Sequence, residues 1–245
     1  MLTDELLCYL FDGQSHSLAP PMAAWLGSSR RFTVFVNTFR DKIRKKLRVT
    51  RDQETLYDLR LELETAYLLL QERNLSLAYE PEQAGPGRSP DFAVTFTTSL
   101  TFMVEVTRLR GGAKGSLPIS DHGFAPGDER FADAIYSKLR QLLPQRSNVL
   151  IIGVDVLLLR QEDLQNMMLR LQQRAEARDS ILWQRYGFRD RSDIIRNFQR
   201  LSEVLVRGSR GQADHPSVVW VNPQAKHPLP SKVRTSLYRS HAIKA

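Results

Sequence analysis

Two acidic residues stand where strand geometry brings them together for metal chemistry. Pro90-Asp91 opens one β-rich run, Phe92 to Thr97, and Glu105 lies in the next, Leu100 to Thr107, after 13 intervening residues. Pro90 fixes its own φ and holds Ser89 extended, which defines the position of Asp91. Along the second run side chains alternate, with Met103, Glu105 and Thr107 on one face and Phe102, Val104 and Val106 on the other. A carboxylate flanked by Val104 and Val106 is costly in an apolar strand unless it is paired or metal-bound. With Thr98-Ser99 as a tight turn, hairpin pairing brings Asp91 near Glu105–Thr107. Two hard oxygen ligands so placed suit Mg²⁺ or Mn²⁺. Each acid also has a plainer use: Asp91 could begin a strand or cap a turn, and Glu105 could pair with a buried arginine.

The elements that must position this pair are legible around it. Residues 1–29 read as a short helix followed by an irregular Pro/Gly/Ser-rich stretch, Ser17 to Ser29. After the run Phe32 to Val36 comes a basic helix, Thr38 to Arg48. The strongest helix is Asp52 to Arg73, with Leu56, Leu59, Leu63, Ala66, Tyr67 and Leu70 in one apolar stripe and Asn74 as its stop. Ser76 to Glu80 reads as a strand, 82–89 as a loop, and 111–129 as a long Gly/Pro-rich loop of a length that is uncommon unless functional or disordered. Phe131 to Leu143 is a helix, and Val149 to Leu159 opens with the continuous apolar run of a buried central strand. Glu162 to Arg178 and Asp193 to Leu201 are helical, and Glu203 to Arg207 with Val218 to Val221 form a last strand pair across a polar loop. This mixed order predicts a three-layer α/β domain.

Pro90-Asp91 followed by Glu105-Val106-Thr107 resembles the PD-(D/E)XK nuclease superfamily. In the preceding helix, Leu61-Glu62-Leu63-Glu64 looks like the superfamily's helical glutamate; Glu62 borders the apolar stripe slightly better than Glu64. The helix Phe131 to Leu143 and strand Val149 to Val154 are similar to the unit that closes the common core, so the resemblance spans about residues 52–155. It implies a restriction-endonuclease-like core, a central mixed sheet flanked by helices with N- and C-terminal additions. The expected divisions are a basic helical extension (1–50), a nuclease-like domain (51–225) and a basic tail (226–245). It also implies phosphodiester hydrolysis, in which Asp91 and Glu105 hold the metal, the Val106 carbonyl completes the coordination and Glu62 is a further ligand, directly or through water. Such a metal lowers the pKa of the attacking water and stabilises transition-state charge. The pattern's lysine is replaced by Thr107, which carries no charge. In some branches of the superfamily the following helix supplies the base, and Lys138 is the best-placed candidate, with Gln141 one turn on. Arg108 is expected on the opposite face. If nothing substitutes, the site binds metal without turnover, which makes a catalytically inactive nucleic-acid-binding or assembly protein the alternative function.

Composition bounds the rest. The net charge is +8, and between Arg30 and Arg48 eight Lys/Arg, among them Arg40, Lys42, Arg44, Lys45 and Lys46, face one acid, Asp41. Such a patch suits a polyanion, here DNA, since neutralising phosphates releases counterions; a solvated helix face would read the same way. Trp183, Tyr186 and Phe188 interleave with Arg185, Arg189 and Arg191, as a single-strand clamp or, more simply, a packing cluster. One cysteine, Cys8, cannot form an internal disulfide, and the five histidines have no zinc spacing. No apolar run approaches the roughly 20 residues of a membrane span, and the N-terminus lacks a basic leader. A cytoplasmic protein outside the membrane is expected, with a homodimer as one expected assembly. Gly111 to Ser116 has P-loop flavour without P-loop spacing.

Overall fold

The computed structural model describes residues 3–81, 89–109, 126–154, 159–177, 180–208 and 217–241. The expected loops 82–89 and 111–129, the glycine-rich run 111–116 and the polar loop before Val218 lie wholly or largely outside them. So does the far end of the expected strand Val149 to Leu159.

The chain opens with four short helices, α1 (Thr3–Phe11), α2 (Ala19–Ser28), α3 (Arg30–Thr38) and α4 (Arg40–Val49), followed by the long α5 (Gln53–Leu69). Three strands follow, β1 (Leu75–Tyr79), β2 (Phe92–Phe96) and β3 (Leu100–Arg108), then α6 (Pro126–Leu139) and β4 (Asn148–Val154). Helices α7 (Gln161–Glu176), α8 (Ser180–Tyr186) and α9 (Arg191–Phe198) lead to β5 (Leu201–Gly208), β6 (Val218–Val221) and α10 (Ser231–Ser240). The strands form one sheet in chain order. β1, β2 and β3 pair antiparallel, β3, β4 and β5 pair parallel, and β6 returns antiparallel on β5.

Alternation along the central strands divides the core in two. Val104, Val106, Val149, Ile151 and Leu205 join α5, the N-terminal helices and α10 on one face. Leu150, Ile152, Val154, Val204 and Val206 join α6 to α9 on the other. The molecule is therefore α/β, a mixed six-stranded sheet with helices on both faces, and every residue of β4 is buried, as a central parallel strand requires.

Three sequence expectations change. The stretch Ser17 to Ser29 is not irregular: Pro20 and Pro21 fall in the first turn of α2, where their missing N–H groups cost nothing. Ser29 then caps α3 by accepting from the Phe32 N–H. The hairpin turn is Thr97–Ser99, with Thr97 at φ +55°. The basic C-terminal stretch carries α10, whose Val233 and Leu237 are buried against the α5 side.

α5 is capped by Asp52, which accepts from the Thr55 N–H at 2.8 Å. Its buried face is wider than the expected stripe and adds Leu61 and Leu69. Leu61 packs onto Gly153 of β4 so closely that a Cβ there would meet Leu61 Cδ2 at 2.5 Å. This glycine lets the helix press onto the sheet.

Candidate metal and phosphodiester site

The register of β2 on β3 sets Phe92 opposite Val104, so Asp91 stands at the level of Glu105. The Asp91 carbonyl accepts from Glu80 N–H at 2.9 Å, extending the β1–β2 ladder. Its side chain crosses to β3, where Oδ2 accepts from the Val106 N–H at 2.7 Å. Glu105 is 3 % exposed and is joined at Oε2 by the Lys138 ammonium of α6, 3.0 Å away. Lys138 also reaches Gln141 at 3.4 Å. The expectation that Glu105 needs a charge partner is thus met by Lys138.

A cleft of about 570 Å³ opens beside them, lined among others by Lys46, Glu62, Asp91, Val106, Thr107 and Lys138, while the buried Glu105 lies behind that lining. Glu62 faces it from α5, whereas Glu64 is turned away and pairs with Arg207 of β5 at 3.1 Å, which separates the two helical glutamates. Arg108, expected on the opposite face from Thr107, binds Glu54 and Asp58 of α5, yet with Asp58 it lines the same cleft as Thr107. Thr107 brings only a hydroxyl to the lining.

Charge is unevenly balanced here. Burial first, and then the charge of Asp91, push the Glu62 carboxyl up to about 7 against the pull of Lys46. Lys46 Nζ lies 2.6 Å from Glu62 and 2.7 Å from Glu80. Burial pulls its ammonium down, but the two carboxylates outweigh that and hold it above the ordinary lysine value. Among the described residues no cation pairs with Asp91.

Among the described residues no three His, Cys, Asp or Glu side chains converge as a ready metal cluster. The donor chemistry nevertheless fits a hard divalent ion. Asp91 and Glu62 both bring carboxylate oxygens to the cleft, the hard donors such an ion takes.

The expected nucleic-acid contacts are differently disposed. Arg44 and Arg48 bind Asp12, and Arg40 and Arg44 lie over the Tyr9 ring. Lys42 donates to the carbonyls of Tyr79 and Glu80 at 3.3 and 3.1 Å, and Lys46 enters the cleft. Lys45 is exposed. Arg31 likewise donates to the carbonyls of Leu70, Glu72 and Leu75. The basic stretch therefore clasps the N-terminal helices to α5 and β1. Tyr186 packs at a tilt against Tyr136 and, with Arg185, binds Asp133, the arrangement of a packing cluster.

Lys46 and Glu80 are the site residues that sequence reasoning did not link. Glu80 ends a legible strand, but nothing local shows that a lysine 34 residues earlier reaches it. Comparison of the chain with protein-family models, with curated proteins and with solved structures finds no match.

Proposed function

We propose that the protein is a Mg²⁺- or Mn²⁺-dependent nuclease-like enzyme that hydrolyses phosphodiester bonds in DNA, on a restriction-endonuclease-like core of the PD-(D/E)XK type. The observation that carries this reading is the Lys138–Glu105 contact of 3.0 Å. It returns an ammonium, from α6, to the glutamate of a motif whose own lysine position is Thr107. The order α5, β1, β2, β3, α6, β4 supports it.

Asp91, Glu105, the Val106 carbonyl and Glu62 would hold the metal, which supplies an activated water and charge stabilisation when bound. The Val106 N–H orients Asp91. Lys138 fixes Glu105 and presents positive charge to the cleft, where a phosphate's developing charge would be stabilised. Thr107 supplies a hydroxyl and no charge. The exposed Lys45 suits contact with the DNA backbone.

Incubation with plasmid and oligonucleotide substrates in Mg²⁺ or Mn²⁺ tests the reading. Cleavage is expected, and its loss in Asp91→Ala, Glu105→Ala and Lys138→Met. Cleavage that survives those changes would show that the roles are misassigned.

Thr107 also favours a second reading, a catalytically inactive DNA-binding or assembly protein retaining the fold. It expects salt-dependent DNA binding that persists in Asp91→Ala and Glu105→Ala, with no cleavage under any metal. Absence of DNA binding at low salt would sink it.

A further inference from the structure

Lys46 has an unusual position for a residue of a basic surface helix. It leaves α4, its ammonium sits over the Tyr79 ring with Nζ 4.8 Å from the centroid, and the same head lies between two carboxylates in the cleft. Both contacts, at 2.6 and 2.7 Å, are direct. Glu80, which makes the second, has a left-handed backbone at φ +42°, a conformation that non-glycine residues rarely adopt. The fold sustains that strain where it holds Glu80 against Lys46. Lys42, one turn earlier on α4, ties the helix to the same place by donating to the Tyr79 and Glu80 carbonyls. Two lysines of one helix therefore converge on the end of β1, and one enters the cleft beside Glu62 and Asp91.

The Lys46 head occupies Glu62 Oε1 at 2.6 Å, so a divalent metal that takes that oxygen must move the ammonium off it, because two cations on one oxygen repel strongly. We propose that Lys46 is a built-in counter-cation of the cleft, and that a divalent metal binds by displacing its head from Glu62. This rests on the metal-dependent reading above. Lys46 is a positioning residue: it holds Glu62 in place before metal arrives and sets how tightly metal binds. On displacement its ammonium keeps Glu80 as partner, so no buried charge is stranded. The device suits a site where Asp91 and Glu62 otherwise repel each other.

Mn²⁺ titration of the full chain at pH 8, read by calorimetry and by the electron paramagnetic resonance of free Mn²⁺, tests this without any activity assay. Lys46→Met removes the charge and keeps an unbranched apolar side chain beside Tyr79, and should bind Mn²⁺ at least tenfold more tightly than the unmodified chain. Lys46→Arg, which keeps a cation, should bind like the unmodified chain. The metal-free Lys46→Met protein should melt lower and regain more on Mn²⁺ addition, which a purely structural lysine would not produce. Binding by Lys46→Met alone would support the inference in its strongest form. Equal or weaker binding by Lys46→Met overturns it, while the metal reading stands if Asp91→Asn abolishes the Mn²⁺ binding of the unmodified chain. Binding by neither protein overturns both. Lys46→Gln carries the same comparison if Met disturbs folding at this half-buried position.

Discussion

A charge inside the protein is cheap only while its partner is present. Glu64 and Arg207 are 8 % and 6 % exposed, and burial pulls the Arg207 guanidinium below its ordinary value despite Glu64. Removing either partner alone, as Glu64→Leu or Arg207→Met, should cost about 3–5 kcal/mol in urea unfolding. The double variant should cost less than the harsher single, because both charges leave together. Equal additive losses would show that the pair is not the interaction being read. The example also marks what the sequence could tell at this scale. Asp91, Glu105 and Lys138 were legible because strand alternation and helix order are local rules. The apolar stripe favoured Glu62 over Glu64 only slightly; Arg207, 143 residues beyond Glu64, separates them, and the Lys46 bridge needed the same long-range knowledge.

At the level of elements, α5 is the part on which most depends. It brings Glu62 to the cleft, packs Leu61 onto Gly153 and meets α10. Gly153→Val would force the helix off the sheet, since even a Cβ would lie 2.5 Å from Leu61. A loss of about 1–3 kcal/mol is expected from overpacking, with weaker Mn²⁺ binding as Glu62 is displaced. Unchanged Mn²⁺ affinity in a destabilised variant would detach α5 placement from the site. Leu237→Ala in α10 should cost about 2–5 kcal/mol by thermal or urea unfolding, since Leu237 is fully buried. A loss under about 1 kcal/mol would indicate that the helix is only loosely docked. The strands and α5 were readable because their apolar periods are strong. α2, α8 and α10 were not, because prolines, arginines and short length conceal their apolar contacts from any local rule.

For the molecule as a whole, the titration of one buried group should be visible in global stability. His241 is 5 % exposed, stacked in sequence behind Ser240, with Nδ1 near the Leu237 carbonyl. Burial, then the Arg207 guanidinium, push its imidazole down to about 3. The unfolded chain takes up that proton near the ordinary 6.5, so stability is complete above that value and falls as pH drops toward 3. Glu62, raised to about 7, acts in the opposite sense: its contribution is present below its ordinary 4.5 and is lost as pH rises through 7. The difference between the unmodified chain and His241→Leu isolates the histidine. Urea stability measured from pH 7 to 4 should fall less steeply in His241→Leu; parallel curves would show that His241 is not the group responsible.

The Glu64–Arg207 tie has a further consequence in time. During synthesis the cleft residues from Lys46 to Lys138 leave the ribosome first, while Arg207 follows 69 residues later. At about 5–20 residues per second that is a delay of several seconds. Over that interval α5 has neither its anchor on β5 nor its cover from α10. The cleft therefore follows its own residues in time, and a ligand that requires it whole waits until β5 and α10 have been made.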